Sequence, residues 1–214
     1  MSVRISITSD FICPWCFVGE HRLASAVARL PQGVAVQTAW RPFELNPGMP
    51  PEGMDRRGYR VAKFGSWERG QAMDARVAGV AAQDGLRFDY DRITRTPNTF
   101  RAHRLMWLAA REGADADRLA RSMFESYFTE GRDLSDPAVL VDLAGGIGMD
   151  PALITAFLSG NDGAEAVRAL ERNAQRDGID GVPFIRIGDI ELSGAQPVEV
   201  FEAALREAAS VAAV

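Results

Sequence analysis

Cys13 and Cys16 are the only two cysteines of this chain, separated by Pro14 and Trp15, at a point where a short apolar segment gives way to helical periodicity. At this spacing the two side chains meet across the first turn of a helix, so the pair can close into a disulfide ring and reopen without moving the fold. The chemistry such a pair supports is thiol exchange. Cys13 falls in the N-cap region and Pro14 at the first helical position, where a missing N–H and a preset φ cost nothing. Free backbone N–H groups and the positive end of the helix dipole favour a thiolate at Cys13. Cys16, one turn further in, has weaker access to those donors and to solvent, which makes it the resolving thiol.

The rival chemistry is half of a zinc site, which His21 and His103, the two histidines of the chain, would complete. Neither they nor the cysteines show a second, finger-like pair of ligands, and a proline between the cysteines suits a redox turn, so no bound metal is expected. His21 falls on the helix that carries the cysteines and is expected to face solvent. The cluster Gly145-Gly146-Ile147-Gly148 resembles a phosphate loop only superficially: it follows a helix, lacks the lysine of that motif and reads as a helix stop.

These residues need elements to position them, and 214 residues with 47% hydrophobic and 25% charged content suffice for one domain, or one domain carrying an insertion. A formal charge of −5 supplies no basic footprint, so neither nucleic acid nor membrane is expected as a partner. The N-terminal segment alternates polar and apolar residues without a basic region, a long apolar run or a cleavage site, and no window reaches about 20 consecutive apolar residues. The expected compartment is the cytoplasm, where a lone Cys-x-x-Cys is catalytic or metal-binding rather than structural.

Alternation at Val3, Ile5 and Ile7 predicts a first strand, residues 14–29 a helix, and residues 34–45 a second strand. The order strand, helix, strand predicts a right-handed parallel crossover with the cysteines at the end of the first strand. Residues 54–177 then show successive helical patterns at 57–83, 98–112, 116–128, 137–144, 151–158 and 164–177, punctuated by turn residues. Strands return at 182–187 and 190–192 around Gly188-Asp189, a hairpin signal, and residues 197–209 form a closing amphipathic helix. An α/β module, residues 1–50 and 178–214, is thus split by a helical insertion over 51–177.

Five segments in this order carry a family resemblance: Asp10-Phe11-Ile12-Cys13-Pro14-Trp15-Cys16 with Gly19, residues 42–47, residues 98–103, Gly181-Val182-Pro183-Phe184, and residues 193–196. The chain resembles the DsbA-like thioredoxin-fold proteins, and within them the cytoplasmic FrnE-type branch, related to 2-hydroxychromene-2-carboxylate isomerases and kappa-class glutathione transferases. The resemblance implies a thioredoxin fold with a large all-helical insertion and a cis bond before Pro183, facing the Cys pair. It places the backbone of Val182 beside Cys13, where an extended substrate segment would pair with it. Glu44 becomes a candidate proton acceptor for the resolving thiol if its side chain faces inward, and is a solvated strand-end acid otherwise. Trp15, Phe11 and Phe43 would rim an apolar substrate groove. Asn98 and His103 would bind substrate over the Cys pair, or serve as a helix cap and a hydrogen-bonded structural histidine. Trp107, Leu105 and Leu108 read as the insertion's own core.

The implied activity is thiol–disulfide oxidoreduction or disulfide isomerisation on protein or small-molecule thiols and disulfides, without a bound cofactor and with glutathione as a transient thiol donor. The chain would act as a monomer or a homodimer. Two alternatives stay open. One is a glutathione-dependent isomerase or transferase acting on a small aromatic or polyketide-like compound; those relatives typically carry serine where this chain has Cys13, and an acidic residue where it has Gly194-Ala195-Gln196. The other is a chaperone-like binding module whose apolar groove matters more than its thiols.

Overall fold

The computed structural model describes residues 2–211; Met1 and residues 212–214, which the domain bounds drawn above include, lie outside the described residues. A four-stranded sheet runs in the order β2-β1-β5-β6, with β1 Ser2–Ser9, β2 Ala35–Pro42, β5 Phe184–Ile187 and β6 Ile190–Ser193. Helix α1 (Pro14–Ala28) crosses from β1 to the parallel β2, and β5 returns antiparallel to β1 with Ile7 opposite Ile185 and Thr8 opposite Phe184. Alternation decides which face is buried. Val3, Ile5 and Ile7 join Ile185 and Ile187 against Leu23 and Ala26 of α1 and Phe201 and Leu205 of the closing helix, Val198–Val211. Burying each large side chain there stabilises the fold by about 1.5–3 kcal/mol. Gly188 turns the β5–β6 hairpin with φ 57°, a conformation open to glycine at the first turn position.

Between β2 and β5 the chain runs through α2 (Arg56–Phe64), α3 (Trp67–Gln83), a 3-10 turn at Tyr90–Arg92, α4 (Phe100–Arg111), α5 (Ala116–Phe128), α6 (Pro137–Gly146), α7 (Pro151–Ser159) and α8 (Ala164–Arg176); α9 is the closing helix. The caps are readable residue by residue. Asp115, Asp136 and Asp150 each accept a backbone N–H of the helix that follows, and Pro137 and Pro151 take first-turn positions. The core of these helices, with Leu105, Leu119, Met123, Phe124, Leu140 and Ile154 essentially inaccessible, is continuous with Phe11, Cys13, Cys16 and Phe17. The helical insertion therefore packs directly on the cysteine-bearing end of the sheet module.

Four features differ from the sequence expectation. The helix predicted over 57–83 is two helices, because Gly65 adopts φ 87° at the end of α2 and the Ser66 side chain accepts the N–H of Arg69 to start α3. The insertion also contains one short ladder, β3 (Met54–Asp55) with β4 (Arg95–Thr96), too brief to carry periodicity. β2 ends at Pro42 rather than at 45: Phe43 N–H makes a last bond to Ser9 C=O at 3.2 Å, after which Glu44 and Leu45 turn inward. His21 is also half-buried rather than solvent-facing, with Nε2 3.0 Å from the Asp84 carbonyl at the end of α3.

Arg104 holds the insertion's far end together. Buried at 3%, it donates to the carbonyls of Phe157 at 3.0 Å, Gly160 at 2.7 Å and Asp162 at 2.9 Å, and its guanidinium stacks 4.9 Å from the Phe157 ring centre. A cation at the end of α7 also answers the helix dipole. Arg104→Met removes the guanidinium donors from three carbonyls while keeping an aliphatic stem. It is expected to cost roughly 2–4 kcal/mol in urea denaturation.

Candidate active site

Helix α1 begins on Cys13, which is the N-cap with φ −88° and ψ 110°, and Pro14 occupies the first helical turn. The Cys13 N–H donates to the Asp10 carbonyl at 3.0 Å, and the Cys13 carbonyl accepts Cys16 N–H at 3.0 Å, so the turn and the helix start share one residue. The Val182–Pro183 bond is cis. The Cys13 thiol donates to the Val182 carbonyl across 3.5 Å, joining residues 169 apart in sequence. Gly19 lets α1 lie this close to the proline: a Cβ there would stand 3.1 Å from Pro183 Cγ. Trp15 is half-buried at the turn.

The two thiols differ. Cys16 is 2% exposed, and burial, reinforced by the neighbouring Cys13, pushes its pKa well above the ordinary 9.0; the Ser9 hydroxyl and the Asp10 backbone act in the opposite direction. Cys16 is thus held as the protonated partner, behind a Cys13 that is itself 5% exposed.

The remaining sequence-nominated residues are distributed as follows. Glu44 faces inward, with a side chain 2% exposed, but its partner is Arg168 of α8, which also bonds Glu171 at 2.9 Å. Burial, then the Glu171 carboxylate, push Glu44 up to about 7, against the pull of His103 and Arg168. Glu44 thus belongs to a charged cluster with Arg168 and Glu171 between β2 and α8. Phe11 is 1% exposed and packed 5.2 Å from both the His103 and Phe124 ring centres, inside the core rather than at an open groove rim. Phe43 is half-buried beyond the end of β2. Asn98 is committed structurally: its Nδ2 donates to the Met49 carbonyl at 2.7 Å and its Oδ1 accepts Phe100 N–H at 2.9 Å at the start of α4. His103, 4% exposed, lies with Nε2 3.5 Å from Asp10 Oδ1. Trp107 stacks on Phe157 and lines, with Phe11, Trp40, His103 and Met106, a cavity of about 350 Å³ between β2, α4 and α8. Among the described residues no three His, Cys, Asp or Glu side chains gather as metal ligands would, and no helix is long and apolar enough to cross a membrane.

Sequence reasoning missed Ser9 and Asp10 beside the thiols, and Glu20. Glu20 lies one helical turn beyond Cys16, a spacing that shares a helix face and was readable. Its side chain is 6% exposed, Oε1 accepts from Arg121 at 2.9 Å, and burial raises its pKa.

Two outcomes follow from these environments. Alkylation of the reduced protein at neutral pH is expected to label Cys13 at least about tenfold faster than Cys16, as read by peptide mass spectrometry; equal rates would remove the distinction drawn between the thiols. At Glu44, the folded chain holds a proton between the ordinary value of 4.5 and about 7 that the unfolded chain has already released. The resulting stabilisation is complete below the lower value and is lost as pH rises through the upper one. Glu44→Gln is expected to flatten this part of the stability profile, measured by chemical denaturation across that window.

Comparison with known proteins supports one family. A family model described as DSBA-like thioredoxin domain matches residues 4–206. The chain is similar to the crystal structure of a probable DsbA oxidoreductase from Streptomyces coelicolor, 37% identical, with a TM-score of 0.84 over 97% of this chain and 90% of that one. It shares its fold with a 2-hydroxychromene-2-carboxylate isomerase, 17% identical, TM-score 0.72, covering 98% of each chain. It also shares its fold with the cytosolic disulfide reductase DsbM from Pseudomonas aeruginosa, 20% identical, TM-score 0.66, covering 97% of this chain and 99% of that one. A family match running from the first strand into the last helix, over a fold that sets a helix-capping cysteine against a cis-proline, makes this chain a member of the DSBA-like thioredoxin family.

Proposed function

We propose that the protein is a cytoplasmic thiol–disulfide oxidoreductase, with Cys13 as the attacking thiol and Cys16 as the resolving one. The observation that carries the reading is the 3.5 Å approach of Cys13 Sγ to the Val182 carbonyl, with Cys16 buried behind it and held protonated. A sulfur at a helix start, facing the backbone of an extended segment, suits a substrate chain that lays its own backbone beside residue 182. Trp15 and Phe43, both half-buried, would supply apolar contact.

In the reducing direction the Cys13 thiolate attacks one sulfur of a substrate disulfide. The substrate S–S bond breaks, one substrate thiolate leaves, and a Cys13–substrate mixed disulfide forms. Cys16 then attacks Cys13 Sγ; its proton and that of Cys13 end on the two released substrate thiols, and the Cys13–Cys16 disulfide remains. Two electrons have passed from the dithiol to the substrate. Two molecules of reduced glutathione restore the dithiol by the same exchange and leave as glutathione disulfide. The reverse sequence oxidises a substrate dithiol, and a mixed disulfide that a second substrate thiol resolves is an isomerisation.

Insulin reduction with glutathione tests the reading. Wild type is expected to turn over, Cys13→Ser to lose at least about 100-fold in rate, and Cys16→Ser to stop at a mixed disulfide visible by mass spectrometry. A Cys13→Ser protein that keeps glutathione-dependent turnover of a small aromatic compound, with no thiol activity in the wild type, would instead assign the isomerase or transferase chemistry.

A further inference from the structure

Asp10 takes no part in the exchange just described, yet it holds the turn that presents Cys13 from three directions. Its carbonyl accepts the Cys13 N–H at 3.0 Å. Its Oδ2 accepts the Leu45 N–H at 2.7 Å, fastening the turn to the segment after β2. Its Oδ1 faces His103 Nε2 of α4 across 3.5 Å. Asp10 is 0% and His103 4% exposed, and neither Oδ1 nor Nε2 has a hydrogen-bond partner among the described residues. A buried carboxylate oxygen is costly to leave unanswered, so the imidazole is the group that answers this one. Phe11, the residue next to Asp10, lies against the same ring. His103 also acts electrostatically on Glu44, whose own partner Arg168 leads to Glu171 on α8.

We propose that Asp10 and His103 are positioning residues for Cys13: the carboxylate binds the Cys13 turn to the segment after β2 and, through His103, to the helical insertion, so that docking of the insertion sets how Cys13 is presented. The proposal rests on the reading of Cys13 as the attacking thiol. Exchange needs the attacking sulfur in line with the disulfide it enters, and small misplacements of a reacting group cost rate steeply. A turn held only by its own backbone bonds would swing with every mixed disulfide.

His103→Leu keeps bulk and loses the ring nitrogens, whereas His103→Gln returns an amide N–H within reach of Asp10 Oδ1; Asp10→Ala removes the carboxylate. Cys13 and Cys16 alkylation rates, insulin turnover and thermal unfolding are measured for each. His103→Leu and Asp10→Ala are expected to lower both the Cys13-to-Cys16 labelling ratio and turnover by about tenfold or more, with unfolding still cooperative, and His103→Gln to recover most of both. Should Asp10→Ala fail to fold, the two His103 variants decide. A cooperatively folded His103→Leu protein with the wild-type labelling ratio and turnover overturns the proposal, because a merely structural histidine would lower the melting temperature and leave the ratio alone. If wild type reduces no disulfide while the ratio falls in His103→Leu and recovers in His103→Gln, positioning stands and the oxidoreductase reading falls.

Discussion

Antiparallel pairing of β1 with β5 is the constraint on which the site depends, because it alone brings the segment before β5 to the end of β1. The register that sets Thr8 opposite Phe184 delivers Val182 to Cys13. A slip of one residue would turn Ile185 and Ile187 onto the polar face, so the apolar core that fixes the sheet also fixes the site. The intervening insertion is long, but loop-closure entropy grows only with the logarithm of length, about 0.6 kcal/mol for each doubling. A large helical body can therefore sit between two strands that must meet, provided it folds and packs on its own account.

That packing reaches the thiols. Phe17, one residue after Cys16, stacks on Phe124 with ring centres 5.4 Å apart and on Phe128 at 5.9 Å, both from α5. Desolvation of Cys16, the largest influence on its protonation, is in this sense produced partly by the insertion. The charged cluster of Glu44, Arg168 and Glu171 lies on the same boundary, and two of its carboxylate oxygens have no hydrogen-bond partner among the described residues. The boundary between sheet module and insertion is thus apolar beneath the cysteines and ionic beside His103.

Much of this was readable in the sequence, for physical reasons that differ by element. Period-two alternation marked β1, and Asp-Pro pairs marked the starts of α6 and α7, because strand faces and helix caps are local properties. Gly65-Ser66 was an equally local stop and start, yet the helical periodicity on either side concealed it. The ladder of β3 with β4 had no local signal at all, since each strand is two residues long and exists only through its partner. At the site, the types and spacing of Cys13 and Cys16 carried the chemistry. For Glu44 the sequence left two readings open, an inward proton acceptor or a solvated strand-end acid; the side chain faces inward, and the cation that packing offers it, Arg168, lies 124 residues away in sequence. Asp10 stood inside the quoted motif without a role, because its partners, Leu45 and His103, are defined by the fold.

The 169-residue separation between Cys13 and the carbonyl that faces it has a consequence for the chain while it is being made. At about 5–20 residues per second, both cysteines leave the ribosome some 10–30 s before Val182 does. For that interval the nascent chain carries a vicinal dithiol with no sheet partner, no proline wall and an incomplete insertion to shield Cys16. The contact that sets Cys13 against the Val182 carbonyl is therefore acquired last, when β5 closes onto β1.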